Sequence, residues 1–492
     1  MMLTSSSSRL TASLLTALLL GASGCSLTPH YDRPAVDTPA QFRETAAPSA
    51  GDPGVTWNPA QPGDAAARGH WWEIYGDSQL NTLEEQVDVS NQTILAAEAN
   101  FRSARAAVLS ARSSLFPSVT ANPSYTRTRA SQTLATSSTT IPSVINEFAL
   151  PFDANYEVDL WGRVRAGVVA AKAGAAASAA DLATARLSTE AELAQDYFQL
   201  RALDAERQIL DDTVQSYRES LKETTTLYHT GIDSEEDVAR AETQLNTAVV
   251  QATDFDVARA AFEHAIAVLT GKAPTGFSLA HGPLTARPPA VPVGVPSNLL
   301  ERRPDIAAAE RRTAAANAQI GIARSAYFPQ LTLTAAGGWE AGKFSRWLEW
   351  PSRFWTLGPE LAGTILDFGA RRAQTEQARA QFDEATANYR QTVLTAFQSV
   401  EDNLAALRVL ADESKQQRTA VDSSRHLLDL ANTRFKLGID SYLNVIIAQT
   451  TLLSNREAEV QIQLRQMQAS ISLVKALGGG WSTAQLDVAV SP

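Results

Sequence analysis

Two long stretches of the chain, 161–234 and 368–441, carry apolar residues at the three- and four-residue spacing of a helix that packs along one face. The second stretch repeats the first, with Gly438 standing 207 positions after Gly231. Neither stretch contains a proline, and both are rich in good helix formers. The matching apolar positions are Leu203, Val214, Leu221 and Tyr228 in the first copy and Leu410, Val421, Leu428 and Phe435 in the second. An internal repeat of this kind predicts one structural unit built twice.

Each copy ends in a Gly-Ile-Asp-Ser sequence, which predicts a turn between two helices. Gly231 and Gly438 can adopt the left-handed conformation that ends a helix. The serines that follow, Ser234 and Ser441, are expected to cap the next helices. The sequence thus predicts a helical hairpin in each copy. At 1.5 Å per residue the first long helix would extend about 100 Å, and its many charges exclude a transmembrane helix.

The segments that precede the two long stretches have a different spacing of apolar residues. Apolar and polar residues alternate over 147–159, 330–339 and 353–366, and more weakly over 118–129, where Pro123 predicts a bend. Alternating segments of about ten residues are typical of transmembrane β-strands. Four tryptophans surround one pair of these segments, as an interfacial aromatic girdle would: Trp339, Trp347, Trp350 and Trp355. The alternative is a four-stranded sheet with one face in water.

Four strands cannot close a barrel, and open sheet edges are not stable in lipid. The strands of one chain therefore need other copies of the chain. Two copies would give eight strands around a filled interior, whereas three would give twelve strands around an open lumen. Small side chains in the first long helix favour close packing of helices in such a ring. These residues are Ala170, Ala171, Ala175, Ala176, Ala177, Ala179 and Ala180. The high helix propensity of alanine explains part of this enrichment.

The N-terminus has the features of a secretion signal. Residues 1–24 contain a positive end, a short apolar run and small residues before Cys25, which is the only cysteine in the chain. This arrangement resembles a bacterial lipoprotein signal, in which the cysteine carries the lipid, and Ser26 by the same resemblance favours the outer membrane. An ordinary signal followed by a chance cysteine is the alternative. Residues 25–70 are rich in proline, glycine and alanine and predict an extended tether.

Composition excludes several classes of function. The net charge of −11 and the lack of a basic cluster exclude nucleic-acid binding. A single cysteine allows no disulfide framework, and the six histidines are scattered without metal-binding spacing. The segment Gly478-Gly479-Gly480 lacks the Lys and Ser or Thr of a phosphate loop, and no Ser/His/Asp set is apparent. The sequence therefore predicts neither an enzyme nor a bound cofactor or metal.

Several motifs recur together along the chain. The segment 299–306 reads Leu-Leu-Glu-Arg-Arg-Pro-Asp-Ile, and Tyr327-Phe328-Pro329 follows. Near the start stand Trp71-Trp72 and Tyr75-Gly76-Asp77, and 476–481 reads Ala-Leu-Gly-Gly-Gly-Trp. With the repeated turn, these motifs resemble the TolC-like outer-membrane factor family, in particular its lipoprotein branch in tripartite efflux systems. The resemblance covers about 20–492.

The resemblance implies a mainly α protein with β-strands. Three identical chains would form a twelve-stranded β-barrel in the outer membrane, continued by a long periplasmic α-helical barrel. The implied function is that of an exit duct for drugs or other small solutes. It would be passive, and would open when a periplasmic adaptor and an inner-membrane pump dock. A lipid-anchored coiled-coil spacer without a channel, and the outer-membrane component of a protein-secretion system, are the alternatives.

The same resemblance divides the chain into five parts. They are a signal peptide at 1–24, a lipid-anchored tether at 25–70, a first repeat at 71–282, a Pro-rich linker within an equatorial belt at 283–298, and a second repeat at 299–492. The strands are expected at about 117–159 and 329–366, and the helical hairpins at about 161–270 and 368–477.

The candidate functional residues lie at the two turns. The exposed turns are expected to dock the adaptor, through Gly231, Ile232, Asp233, Ser234, Gly438, Ile439, Asp440 and Ser441. In many members of the family an acidic residue after the second turn helps to close the tunnel, but Asn444 and Ile447 stand there in this chain. We therefore expect Leu443 and Ile447, one helical turn apart, to form an apolar gate around Asn444. Packing between helices is the alternative for both residues.

Overall fold

The computed structural model describes residues 26–44, 70–129, 144–289 and 296–483. The predicted signal peptide and Cys25 lie outside the described residues, as do parts of the tether and of the Pro-rich linker. The chain divides into two compact units. The first, called the sheet unit here, comprises 1–34, 102–177 and 309–389; the second, called the helical unit, comprises 35–101, 178–308 and 390–492.

Helices account for most of the described residues. The two longest contain 67 residues each, and each is followed by a helix of 35 residues. The helices are α1 (Ser78–Ser90), α2 (Gln92–Ser113), α3 (Arg163–His229), α4 (Glu235–Leu269), α5 (Leu299–Arg302), α6 (Pro304–Ser325), α7 (Ala370–Lys436) and α8 (Tyr442–Ala476).

The two long helices begin slightly later than the sequence predicts. Their expected starts were Trp161 and Phe368, whereas α3 begins at Arg163 and α7 at Ala370. The residue before each helix is a glycine in the left-handed region, with φ of 78° and 96°. A left-handed residue cannot belong to a right-handed helix, so the helix starts after it.

The described residues of the sheet unit form five strand segments. They are β1 (Ser118–Ala121), β2 (Ser124–Thr128), β3 (Ile145–Val158), β4 (Gln330–Ala341) and β5 (Arg353–Ala362). All pairs are antiparallel, in the order β1-β3-β4-β5, with β2 also paired to β3. The sheet unit also contains the later parts of α2 and α6 and the first part of each long helix.

The structure corrects two of the four strands that the sequence predicts. The segment 118–129 forms two strands, but β1 and β2 keep one register on β3 and so share one strand position. The break falls at Pro123, which has no N–H to donate to the ladder. The last strand ends at Ala362 rather than at residue 366, because Gln330 is the partner of Ala362 and the preceding residue is Pro329, which again cannot donate.

One face of the sheet is apolar, and the described residues of the chain leave it exposed. The register aligns Leu150 with Trp339, and Ala335 with both Ala154 and Leu357, so apolar side chains of neighbouring strands share this face. Trp355 is 82% exposed. The opposite face carries polar side chains, among them Glu147, Asp153, Glu157, Thr332, Thr334 and Glu360. An exposed apolar surface of this extent is typical of a membrane or protein contact.

The helical unit has a core of aromatic and aliphatic side chains. One face of α1 is buried in it, through Leu80, Leu83 and Val87. Asp77 caps α1 by accepting hydrogen bonds from the N–H groups of Gln79 and Leu80. The core also contains Trp71, Trp72, Tyr75, Tyr197, Phe198, Leu200, Met467 and Ile471.

A buried ionic network ties the chain before the Pro-rich linker to the helical unit. Asp204 accepts hydrogen bonds from Arg201 at 2.9 Å, from Arg259 at 2.7 Å and from the N–H of Gly282 at 3.0 Å. The same arginines donate to the backbone carbonyls of residues 279 and 280. Because each charge is paired and hydrogen-bonded, its burial is compensated.

A second buried acidic group lacks such compensation. Glu84 is fully buried, and neither of its carboxyl oxygens has a hydrogen-bond partner in the described residues. Glu190 accepts a hydrogen bond from the indole Nε1 of Trp71 at 2.8 Å, and Asp88 lies 3.0 Å from Arg186. Burial, followed by the charges of Glu190 and Asp88, raises the pKa of Glu84 to about 10, and burial raises the pKa of Glu190 to about 7. Glu84 is therefore protonated in the folded protein at neutral pH.

This burial predicts that stability falls as pH rises. Unfolding lets Glu84 return to an ordinary pKa near 4.5 and release its proton, so the unfolded state is favoured increasingly between pH 4.5 and about 10. For one titrating group, the free energy of unfolding falls by at most about 1.4 kcal/mol per pH unit. Glu84→Gln keeps the shape of the protonated group and should flatten this dependence, giving a higher Tm at pH 8 and a similar Tm at pH 4. The exposed neighbour Glu85→Gln is the control; a lower Tm of Glu84→Gln at pH 8 would contradict the assignment.

Candidate functional site

The turn between α3 and α4 is built around a left-handed glycine. Gly231 has φ of 76°, and its N–H donates to the carbonyl of Tyr228 at 2.9 Å. The N–H of Ile232 donates to the carbonyl of Leu227, also at 2.9 Å. These bonds satisfy the last carbonyls of the helix and fix the direction of the chain. They leave the side chain of Ile232 exposed.

The turn between α7 and α8 has the same backbone. Gly438 has φ of 68°, its N–H donates to the carbonyl of Phe435 at 2.8 Å, and the N–H of Ile439 donates to the carbonyl of Arg434 at 2.9 Å. Ile439 is exposed, as Ile232 is in the first turn. No atom lies within 4 Å of a Cβ built on either glycine, so backbone conformation alone favours glycine at both positions.

The two turns differ in charge. In the second turn Arg434 forms an ion pair with Asp440, and its hydrogen bond lowers the pKa of that carboxyl. The first turn has Leu227 where the second has Arg434, so Asp233 has no matching cation. Partial burial, then the charges of Asp237 and Glu223, raise the pKa of Asp233. Arg434 was not among the functional residues predicted from the sequence, although the exchange of arginine for leucine between the repeats was a visible signal.

The predicted serine caps are present in only one turn. The hydroxyl of Ser234 accepts a hydrogen bond from the N–H of Asp237 at 3.2 Å and donates to its carboxylate at 2.7 Å. Ser441 occupies the cap position of α8 but makes no side-chain cap bond, which corrects the prediction. The acid that accepts the hydrogen bond of the first hydroxyl is replaced by Asn444, three residues after Ser441, so the carboxylate that orients Ser234 has no counterpart in the second turn.

The candidate gate residues share one exposed face of α8. Leu443 is 39% exposed, Ile447 is 52% exposed, and Asn444 is exposed between them. The opposite face of the same helix turn is buried against the ends of α3 and α7, through Tyr442, Val445 and Ala448. Within one chain, therefore, Leu443 and Ile447 are not part of the hydrophobic core. Their counterparts in the first repeat, Glu236 and Arg240, form an ion pair instead.

The described residues contain no candidate metal centre. No group of three or more histidine, cysteine or acidic side chains among them is arranged to hold a metal ion. None of the helices in the described part of the chain is both long and apolar enough to cross a membrane.

Comparison with known proteins identifies the family. A family model described as outer membrane efflux protein matches residues 83–272 and 295–479, and each matched part contains one of the two turns. The chain belongs to the outer membrane efflux protein family. The family resemblance inferred from the sequence motifs is thus confirmed, and the family consists of transporters rather than enzymes.

Relatives of this outer membrane efflux protein extend over nearly the whole chain. The toluene efflux pump outer membrane protein TtgC of Pseudomonas putida is 32% identical over 470 residues, which cover 95% of this chain and 94% of the relative. The pyoverdine export outer membrane protein OpmQ of Pseudomonas aeruginosa is 30% identical over 482 residues, with 97% and 98% covered. The solved structure of the outer-membrane channel OprN is 29% identical, with a TM-score of 0.85 over 93% of this chain and 100% of the other. This protein therefore acts in efflux at the outer membrane.

Proposed function

We propose that three copies of this outer membrane efflux protein form a passive exit duct for small organic solutes. The observation that carries the proposal is the sheet of four strand positions with one exposed apolar face, whose two edges, at β1–β2 and at β5, have no partner strand among the described residues. In lipid, each unpaired N–H and C=O costs several kcal/mol, so the edges need partner strands. Three copies supply twelve strand positions, which leave room for a lumen, whereas two copies supply only eight.

The exported solutes of this chain are proposed from its relatives. TtgC is named for toluene and OpmQ for pyoverdine, which differ greatly in size and polarity. A duct that conducts without a binding pocket accommodates both kinds of compound. We propose that the energy comes from an inner-membrane pump and that a periplasmic adaptor connects the two.

The proposed closure of the duct is an apolar ring at the start of α8. Leu443 and Ile447 are exposed in one chain although both are large and apolar, so a neighbouring copy or a closed constriction would have to cover them. Three copies of each residue, brought together at a constriction, would exclude water and ions. The acidic closure found in many family members is not available here, because Asn444 and Ile447 stand at those positions.

Conductance of the purified protein tests both the duct and this ring. We expect a mass of three chains after correction for detergent, and a small resting current in a planar bilayer. Leu443→Ser and Ile447→Ser should raise that current, most strongly together, because hydroxyl groups admit water to the constriction. Leu430→Ser, at an exposed leucine of α7, is the control. A monomer without conductance would support a coiled-coil spacer, and an unchanged current with lower stability would assign the two residues to helix packing.

The exposed turns are proposed to dock the adaptor. Both present an isoleucine on a backbone that is fixed by hydrogen bonds, which suits recognition by another protein. The first turn adds Asp233, Glu235, Glu236 and Asp237, and the last three also lie in the first turn of α4, where they stabilise the helix N-terminus.

Substitution of the two glycines tests this docking. Gly231→Val and Gly438→Val force a β-branched residue into the left-handed region, at a cost of about 1–3 kcal/mol, and should distort the turns and reduce efflux. Trimer mass and membrane insertion should not change. Gly438→Asn is the matched control, since asparagine tolerates this conformation and should retain efflux. Full efflux in both valine variants would show that the adaptor docks elsewhere.

Cys25 is proposed to carry the lipid anchor. The support is its position after the signal sequence and the fixed course of the segment that follows it in the sheet unit. The hydroxyl of Tyr31 donates to the carboxylate of Glu310 at 2.7 Å, and the side-chain amide of Asn317 donates to the carbonyl of Pro29 at 2.9 Å. The start of the mature chain is thereby bound to the same unit as the apolar sheet face.

Intact mass of the native protein checks the anchor. We expect a mature chain that begins at Cys25 and carries acyl groups, and Cys25→Ser should lose both the acyl mass and processing at this site. Some efflux should persist in the variant, because the sheet is itself embedded in the membrane. An unmodified N-terminus at or near residue 25 in the native protein would rule out acylation.

A further inference from the structure

A groove of about 710 Å³ lies on the apolar face of the sheet unit, near the hairpin that joins β4 to β5. Its floor is at Gly337, in the middle of β4. The other residues that line it are Phe152, Gly338, Trp339, Trp350, Arg353, Phe354 and Trp355. Its volume falls in the range of small-molecule sites.

The floor of the groove exists because residue 337 has no side chain. The next residue, Gly338, must be glycine, since a Cβ there would lie 2.0 Å from the carbonyl oxygen of Leu150. Gly337 is under no such constraint, because its nearest neighbour would be 3.5 Å away and its φ is not positive. A strand position with space for a side chain normally favours a β-branched or aromatic residue. The missing side chain at 337 is therefore not required by backbone packing, and its effect is the groove.

The walls of the groove are aromatic. The strand register pairs Gly337 with Phe152 on β3 and with Trp355 on β5, so an aromatic ring stands on each side of the missing side chain. Trp339 meets Phe152 edge to face, with ring centroids 6.5 Å apart. A slot between flat rings suits an extended hydrocarbon chain, which gains contact area on both sides.

One end of the groove carries a positive charge. Arg353 is paired with Trp339 in the register, and its guanidinium group lies over the indole ring of Trp350. The segment 343–353 contains three basic residues and one acid, in a chain whose net charge is −11. The acid, Glu349, is engaged by Arg346 at 3.0 Å. The charge that faces the groove is therefore that of Arg353, held in position by an aromatic ring.

We propose that this groove binds a lipid that bears an anionic phosphate group, with one acyl chain over Gly337 and the phosphate on Arg353. The inference rests on the proposed membrane embedding of the apolar sheet face. Within the sheet unit, the β4–β5 hairpin lies at the end of the strands opposite to α6 and α7, where tryptophans at a membrane interface are expected beside lipid headgroups. A guanidinium group matches phosphate with two parallel hydrogen bonds.

A lipid fits this site better than a free ion or a soluble anion. A single partly exposed arginine holds inorganic phosphate weakly, because water competes for both partners. The apolar groove adds contact that only a ligand with a hydrocarbon chain can use. Charge and groove act together only when phosphate and acyl chain belong to one molecule.

Lipid binding can be measured on the purified full-length protein by native mass spectrometry. The probe is diphosphoryl lipid A, titrated against the protein in a non-ionic detergent, with phosphatidylcholine as the zwitterionic comparison. We expect lipid A to bind more tightly than phosphatidylcholine and 10 mM inorganic phosphate not to displace it. Arg353→Gln removes the charge-assisted bonds and should weaken lipid A binding about tenfold or more. Gly337→Leu fills the slot and should weaken it about as much.

Two matched variants separate this site from general effects. Ala335→Leu places the same leucine side chain on the same face of β4, two residues outside the groove, and Arg346→Gln removes a charge from the same hairpin. Both should leave lipid A binding within about twofold of the unchanged protein. Equal losses in all four variants, no preference over phosphatidylcholine, or displacement by inorganic phosphate would each overturn the proposal. Conductance measured on the same samples distinguishes the two failures: a conducting trimer with unaltered binding in Gly337→Leu and Arg353→Gln refutes only the lipid site.

Discussion

Backbone hydrogen bonding at the sheet edges constrains the rest of the molecule. Among the described residues, β1–β2 pairs only with β3 and β5 pairs only with β4, so the outer side of each presents N–H and C=O groups that no described strand satisfies. The same sheet has an exposed apolar face. Water would satisfy the edges but not the face, and lipid would satisfy the face but not the edges. The proposed trimer resolves this conflict, because neighbouring copies pair with the edges while lipid covers the face.

Features that depend on local constraints could be predicted from the sequence. The turns at Gly231 and Gly438 were found because a left-handed residue after a long proline-free run ends a helix whatever surrounds it. The alternation of apolar and polar residues located β3 and β4, because side chains on a pleated strand point to opposite faces in turn. The ends of the strands were less accurate. The end of β5 is set by Pro329, which immediately precedes the partner strand, and the register that aligns the two strands is not visible in either segment alone.

In the candidate site, too, some features could be predicted from the sequence and others depend on how the chain folds. The sequence indicated which residues lie in the turns, but not that Asp440 has an arginine partner whereas Asp233 pairs with no arginine of the described residues. It did not reveal that Glu84 is buried without a hydrogen-bond partner, because α1 also carries exposed acids such as Glu85. Nor did it reveal the groove, since the alignment of Gly337 with Phe152 and Trp355 depends on two strand pairings across a long separation in sequence.

The unequal charges of the two turns have a consequence for assembly symmetry. Three chains would present six turns of one backbone shape but of two kinds, which alternate around the ring. As pH falls, Asp233 would gain its proton before Asp440, because their pKa values are shifted in opposite directions. The ring of turns would then have sixfold symmetry in its backbone shape but only threefold symmetry in its charge. A partner made of six identical subunits would bind it quasi-equivalently, with alternate subunits in different electrostatic surroundings.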